Sequence, residues 1–252
     1  MTNLFANWDQ ILKFAKEYGL PADQSRAIIR EYLQAKIISL VYSQKSSRRL
    51  FFVGGTSLRL LYGLDRFSED LDFDSPNLDS KEIKNLLTFA AQSLERENFN
   101  LDFYENQTSQ KNYYEFRFHN LSGDEEKLVI KFDFESFWKK QTVETVTFNR
   151  YGFLANVTTK TLGQFVVEKL VAYLNRKETL ARDLYDLVWL ASQNAEADEQ
   201  FAKFNGFEVE DLINKAKLKF KAENVESLEA RLDKFLLNPT SQGKISFFDK
   251  LY

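Results

Sequence analysis

A chain of 252 residues is long enough to bury a sizeable core, in one large domain or in two small ones. Its formal charge of -3 argues against binding nucleic acid through a global positive field, although a local basic groove remains open. The chain has no cysteine, which excludes disulfides, thiolate zinc sites and cysteine nucleophiles. It shows no secretory leader pattern and no apolar run of about 20 residues, so we expect a cytoplasmic protein without a membrane partner.

The first half of the chain mixes helical and strand patterns. Pro21 is placed to open the second of two long helices, and the run 54–57 forms a glycine turn between a short apolar strand and a short helix. The predicted elements are helices at 8–19 and 22–44, a strand at 50–53, a helix at 56–62, a strand at 70–74 and a helix at 81–97.

Three further strands are predicted at 100–105, 113–120 and 127–135, with a turn at 122–124 between the last two. An edge strand at 143–148 and a loop at Gly152 follow. Within the strand at 127–135, alternate side chains point to opposite faces. The apolar residues share one face, and the other face carries Val129, Lys131, Asp133 and Glu135. Asp133 is therefore expected on a polar face of an otherwise buried strand.

From Thr161 the pattern is helical, with further helices predicted at 179–193, 208–221 and 225–236. Lys169 lies on or beside the inward face of the first of these helices, which is an unusual place for a lysine. In the next helix, Arg182 and Asp186 are one turn apart and able to pair. The change of pattern predicts an α/β (α+β) protein. Its N-terminal domain, 1–155, is built on a mixed sheet flanked by helices, and its C-terminal domain, 156–252, is helical.

Asp70, Asp72 and Asp74 are expected to share one face of their strand, because successive strand residues point to opposite sides. This face is a candidate metal platform, and the neighbouring glycine turn and helix N-terminus can hold a phosphate. A solvated acidic edge strand is the alternative. A calcium loop of the EF-hand type is excluded, since Ser75 stands where a glycine is needed and Lys81 where a bidentate Glu is needed. No Walker A loop is present.

Several motifs in a fixed order now make the sequence similar to one known family. They are Phe52-Val53-Gly54-Gly55-Thr56-Ser57-Leu58, Arg66-Phe67-Ser68-Glu69-Asp70-Leu71-Asp72-Phe73, Asp133, Glu168-Lys169-Leu170-Val171-Ala172 and Arg182-Asp183-Leu184-Tyr185-Asp186-Leu187. The chain resembles the nucleotidyltransferases of the AbiEii/AbiGii toxin type, within the polymerase-beta-like nucleotidyltransferase superfamily. The motifs span about 51–190, and their combination is far more specific than any one of them.

The resemblance implies a metal-dependent transfer of a nucleoside monophosphate from an NTP, with pyrophosphate leaving, by the N-terminal domain. Asp70, Asp72 and Asp133 would hold Mg²⁺, or Mn²⁺, because the ligands are oxygens. Lys169, from the helical domain, would reach the triphosphate as a cation. Its alternative is a stem packed on the core with the ammonium at the surface. The phosphates would be contacted by the glycine-turn residues Gly54, Gly55, Thr56 and Ser57.

The remaining motif residues keep two interpretations each. Asp186 and Asp183 either position Lys169 or contact the nucleotide, as the family motif implies, or they form a structural helix pair with Arg182. Arg66 either caps the sheet edge, which we favour, or meets a phosphate. Secondary candidates for the site are Arg66, Ser68, Lys131, Arg182 and Asp183.

The acceptor is the least determined part of the prediction. Four alternating lysines at 215–221, interleaved with Leu218 and Phe220, could track an RNA backbone. A solvated helix face is favoured instead, because on a helix these lysines do not share one side.

The resemblance alone implies an RNA acceptor, with the 3′ end of tRNA favoured. It also implies a role as the toxin of a type IV-like toxin–antitoxin or abortive-infection system in phage defence. The partner would be a separately encoded antitoxin or an operon-encoded repressor. One alternative is nucleotidylation of a small-molecule or protein hydroxyl, and another is a catalytically inactive binding module with the same fold.

Overall fold

The computed structural model describes residue 4 and residues 7–107, 112–121 and 127–252. The turn predicted at 122–124 lies outside these residues. The helices are α1 (Trp8–Glu17), α2 (Ser25–Tyr42), α3 (Gly54–Tyr62), α4 (Ser80–Arg96), α5 (Leu162–Asn175), α6 (Ala181–Ser192), α7 (Glu199–Phe204), α8 (Val209–Lys221), α9 (Val225–Leu232) and α10 (Phe248–Leu251). The strands are β1 (Phe51–Val53), β2 (Leu71–Asp74), β3 (Leu101–Gln107), β4 (Asn112–Phe118), β5 (Leu128–Glu135), β6 (Val143–Arg150) and β7 (Phe153–Lys160).

In the described part of the chain, five strands form a mixed sheet in the order β1-β2-β5-β4-β3. The β2–β5 pair is parallel, and the other neighbours are antiparallel. One face of this sheet is an aromatic core, because all five strands carry a phenylalanine on it. The ring centroids are 4.7 Å apart for Phe116–Phe132 and 5.3 Å apart for Phe52–Phe73. The predicted mixed α/β fold with a helix-flanked sheet is confirmed.

The start of α2 and the surroundings of β6 differ in detail from the predictions. Helix α2 begins at Ser25 and not beside Pro21, because the Gln24 amide donates to the Pro21 carbonyl at 3.1 Å and closes a turn ahead of the helix. The strand predicted at 143–148 is present as β6, and it pairs with β7 in a separate two-stranded sheet. The predicted loop at Gly152 is a tight turn in which Tyr151 and Gly152 both have positive φ, of 53° and 80°. Such a turn matches the twist of a hairpin.

The chain forms two compact units, and neither is continuous in sequence. Unit 1 comprises Met1–Gly63, Ser68–Phe137 and Thr145–Thr159, and unit 2 comprises Leu64–Phe67, Trp138–Glu144 and Lys160–Tyr252. The predicted functional division at 155/156 stays a prediction.

Unit 2 holds the short segment Leu64–Phe67 by backbone hydrogen bonds. The Phe67 amide donates to the Phe235 carbonyl at 2.7 Å, and Arg66 forms an isolated antiparallel bridge with Leu236. The Asp65 carboxylate accepts hydrogen bonds of 2.7 Å from the Tyr185 hydroxyl and from the side chains of Ser241 and Lys244. This segment is therefore fixed both to α6 and to the C-terminal part of the chain.

Among the helices in the described residues, none combines the length and the apolar character needed to cross a membrane.

Candidate active site

Two predicted ligands, Asp72 and Asp133, lie side by side in unit 1. They are direct partners in the parallel register of β2 and β5, as are Asp74 and Glu135 one step further along. Residues in register on neighbouring strands share a face, and such strands are about 4.8 Å apart. The opposite face carries Phe73, which stacks on the Phe134 ring at 5.3 Å. Alternation thus sorts carboxylates to one side and phenyl rings to the other, and both Asp72 and Asp133 are partly exposed.

Asp70 lies just before β2, which begins at Leu71. Its backbone carbonyl accepts a hydrogen bond from the Thr56 hydroxyl, which ties the start of β2 to helix α3. Asp70 is partly exposed. Since β2 begins one residue after Asp70, the predicted position of this side chain on the face of Asp72 and Asp133 stays a prediction.

A divalent metal fits the chemistry of this donor set. Within the described residues, no three or more His, Cys, Asp or Glu side chains come together as a ready metal cage. Mg²⁺ does not require one, because it is usually held by one or two carboxylates together with substrate phosphates and waters. Asp72 and Asp133 supply two adjacent carboxylates, which are ligands of the type that Mg²⁺ prefers. Metal binding by this pair stays a prediction, and the residues present are compatible with it.

The sequence predicted a glycine turn that precedes a helix starting at Thr56. Helix α3 instead begins at Gly54, so both glycines belong to its first turn. The amides of this first turn have no intrahelical acceptor. Gly54 has φ +77°, and a Cβ atom there would lie 2.1 Å from Oδ2 of Asp72. Only glycine therefore lets the helix start pack against this carboxylate.

The hydroxyls of Thr56 and Ser57 are used inside the protein. Both residues are fully buried, and while Thr56 donates to the Asp70 carbonyl, Ser57 donates to the Gly54 carbonyl at 3.1 Å. Phosphate contact from this turn would come from the backbone amides of Gly54, Gly55 and Thr56.

Lys169 is held by two carboxylates within unit 2. Its ammonium lies 2.6 Å from Oδ2 of Asp186 and 3.5 Å from Oδ1 of Asp183, and its side chain is 14% exposed. Both aspartates lie on α6, three residues apart and thus on the same side of that helix. The predicted inward position of Lys169 is explained by these two partners, because a buried ammonium needs compensating charge.

Arg66 is also part of this cluster. Its Nε and Nη2 donate to the two oxygens of Asp186 at 2.6 and 2.7 Å, in a bidentate pair with side-chain exposures of 2% and 0%. Burial raises the pKa of a carboxyl, but the attraction of Arg66 and Lys169 outweighs it and holds the pKa of Asp186 below its ordinary value. Burial opposes the charge of Arg66 too, and Asp186 nevertheless raises its pKa.

The predicted pair of Arg182 with Asp186 is not formed, because Arg66 and Lys169 take both oxygens of Asp186. Arg182 is half-buried on α6. Ser68 is half-buried in unit 1, and its carbonyl accepts from the Gln34 side chain at 3.2 Å. Lys131 is exposed on β5, two residues before Asp133 and hence on the same face, opposite Glu115.

Arg176 was not singled out from the sequence. Its Nε donates to Oδ2 of Asp183 at 2.6 Å, so it shares a carboxylate with Lys169. Spacing gave a signal for Arg176, because it follows Lys169 by seven residues and directly follows α5. Residues seven apart fall on the same side of a helix.

The lysines at 215–221 lie on α8, as expected, and their ammonium groups are used differently. Lys219 donates to the Tyr173 and Arg176 carbonyls at 2.6 and 3.2 Å, which caps the end of α5. Lys215 pairs with Asp211 one turn away.

Comparison with known proteins identifies the class. The family model for the nucleotidyl transferase AbiEii toxin, Type IV TA system, matches residues 40–250. JHP933 from Helicobacter pylori is 22% identical in sequence, with 89% of each chain covered and a TM-score of 0.57. The MenT4 nucleotidyltransferase toxin from Mycobacterium tuberculosis is also 22% identical, over 92% of this chain and 76% of that one, with a TM-score of 0.58. No curated protein matches the chain in sequence.

The fold is therefore that of nucleotidyltransferase toxins, and the match extends through both units. The chain belongs to the AbiEii nucleotidyl transferase toxin family of type IV toxin–antitoxin systems. The resemblance that the motifs indicated is confirmed.

Proposed function

We propose that this protein transfers a nucleoside monophosphate from an NTP to a hydroxyl of an RNA acceptor, with the 3′ end of tRNA favoured. The acceptor oxygen attacks the α-phosphorus, the bond from that phosphorus to the bridging oxygen breaks, and pyrophosphate leaves. The observation that carries the proposal is the register of Asp72 against Asp133 beside the first turn of α3. Family membership supports the reaction class.

Each group has a proposed task. Asp70, Asp72 and Asp133 hold Mg²⁺, or Mn²⁺, and Asp133 also takes the proton of the attacking hydroxyl. The bound metal supplies Lewis acidity toward the phosphate oxygens. The amides of Gly54, Gly55 and Thr56 bind phosphate at the start of α3. Lys169 is the cation for the triphosphate, and Asp186 and Asp183 fix its ammonium; Arg66 acts through Asp186.

Family membership supports a proposal for the biological role. We propose that the protein acts in the cytoplasm as the toxin of a type IV system, with a separately encoded antitoxin, or a repressor from its operon, as its partner. Modifying the 3′ end of tRNA would stop translation, which fits a toxin that limits phage growth.

Incubating the full chain with each labelled NTP, Mg²⁺ and total tRNA tests the proposal. Label on RNA supports it, and label on protein or on small molecules would favour the alternative acceptors. A wild-type protein that labels nothing in total tRNA, protein or metabolite pools would indicate an inactive module. Asp72→Ala is the matched control, because it removes one carboxylate from a partly exposed site and should end labelling without unfolding the chain.

A further inference from the structure

Three cations and two carboxylates form a continuous ion-pair cluster in unit 2. Asp186 bonds Arg66 and Lys169, and Asp183 lies against Lys169 and Arg176. The contacts measure 2.6 Å, apart from the 3.5 Å between Lys169 and Asp183. Two negative charges cannot neutralise three positive ones, so the cluster itself carries one uncompensated positive charge.

The burial of these side chains is graded. Arg66, Asp183 and Asp186 are at most 2% exposed, whereas Lys169 is 14% and Arg176 is 41% exposed. The carboxylates thus lie beneath, and the two cations that reach solvent lie above them. An anion that approaches from solvent meets the excess positive charge first, and the buried carboxylates keep both cations in place.

Arg176 has donors to spare. Its contact with Asp183 uses Nε, and none of the hydrogen bonds found within the described residues uses its terminal nitrogens. A guanidinium presents five N–H donors in a planar fork that matches phosphate oxygens. The Lys169 ammonium and the Arg176 guanidinium bind the two oxygens of the same Asp183 carboxylate, so their charged ends converge.

We propose that Arg176 is a second phosphate-binding residue beside Lys169, with its terminal nitrogens donating to phosphate oxygens. The inference rests on the proposed function, since it deepens the triphosphate site of that reaction. The ligand is a phosphate group, which either the triphosphate of the NTP or the backbone of the acceptor RNA can supply.

Binding measurements on the full chain separate this idea from the catalytic proposal. Titration calorimetry with inorganic tripolyphosphate and with each NTP, in the absence of acceptor, needs no chemical step. Arg176→Ala should weaken binding about tenfold or more, as expected for a lost charge-assisted hydrogen bond. Arg176→Lys should recover part of the affinity, because a point charge replaces the fork. The matched control is Lys177→Ala, which removes the same charge from the adjacent exposed residue.

The Michaelis constants for NTP and for RNA in the transfer assay identify the source of the phosphate. A rise in KM for NTP alone assigns the triphosphate, and a rise in KM for RNA alone assigns the backbone phosphate. The inference is overturned if Arg176→Ala alters neither of the two Michaelis constants or if Lys177→Ala has an equal effect. It is also overturned if wild type binds neither tripolyphosphate nor RNA. If wild type transfers the nucleotide and Arg176→Ala has the same affinity and Michaelis constants as wild type, only this inference is overturned. Arg176-dependent tripolyphosphate binding without any transfer defeats only the proposed reaction.

Discussion

Arg66 holds Asp186 through two parallel hydrogen bonds of 2.6 and 2.7 Å, and both side chains are removed from solvent. The two residues are 120 positions apart in the chain. Because Asp186 is fixed in this way, it also positions Lys169, whose ammonium lies 2.6 Å from Oδ2 of Asp186.

Arg66→Ala should be severely destabilising. It leaves Asp186 with Lys169 alone in a buried site, and removing one partner of a buried ion pair typically costs about 3–5 kcal/mol. Chemical denaturation monitored by circular dichroism measures the change. Arg231→Ala breaks an exposed pair with Glu178 and should cost about 1 kcal/mol or less. Equal losses in the two variants would show that the buried pair contributes no more than a surface one.

The acid stability of the protein should depend on Asp186. Its folded-state pKa lies below the ordinary value, so its stabilising contribution is complete above about pH 4 and is lost as pH falls through the folded pKa. The free-energy gap between wild type and Asp186→Asn should be constant near neutral pH and should narrow below about pH 4. Unfolding curves at a series of pH values test this. A gap that widens on acidification would mean that the carboxyl is protonated in the folded protein.

Gly54→Ala should impair both stability and activity more than a strained backbone alone does. The added Cβ would meet Oδ2 of Asp72 at 2.1 Å, so the helix start or the carboxylate has to move. Gly63→Ala is the matched control, since Gly63 has a similar φ of +84° and open space around the Cβ position. We expect about 1 kcal/mol for the control, from backbone strain, and a larger loss for Gly54→Ala. Similar values from thermal unfolding would remove the steric argument.

Divalent metal should stabilise the protein through Asp72 and Asp133. Without metal, two adjacent carboxylates repel, so Asp72→Asn or Asp133→Asn should leave the melting temperature unchanged or raise it slightly. Millimolar Mg²⁺ or Mn²⁺ should raise the melting temperature of wild type and have little effect on either variant. Glu210→Gln, on an exposed part of α8, should respond as wild type does. The same metal-induced shift in all four proteins would place any metal elsewhere.

Local patterns in the sequence predicted much of unit 1. The alternation along 127–135 placed Asp133 and Lys131 on the polar face, and the structure finds them there, opposite the phenylalanines. The hairpin strand β7 was missed because Tyr151 and Gly152 form the turn together, and a tyrosine with positive φ gives no signal in composition.

The ion-pair cluster could be predicted only in part. Spacing along α5 indicated the inward position of Lys169, and the family motif made Asp183 and Asp186 candidates for positioning it, as the contacts show. Helix periodicity suggested Arg182 as the partner of Asp186. Arg66 pairs with Asp186 instead, because the tertiary structure brings its planar, bidentate guanidinium to this carboxylate, which is distant in sequence. Local spacing cannot rank a neighbour one turn away against a residue 120 positions away.

The discontinuity of unit 2 also constrains how this chain can be recombined. Leu64–Phe67 belongs to unit 2 but is encoded between two stretches of unit 1. In a hybrid gene that joins residues 1–159 of one relative to the remainder of another, the residue at position 66 and the residue at position 186 would come from different parents. Such exchanges should therefore be viable only when both parents keep this charge pair, or when the four-residue segment is exchanged together with the C-terminal part.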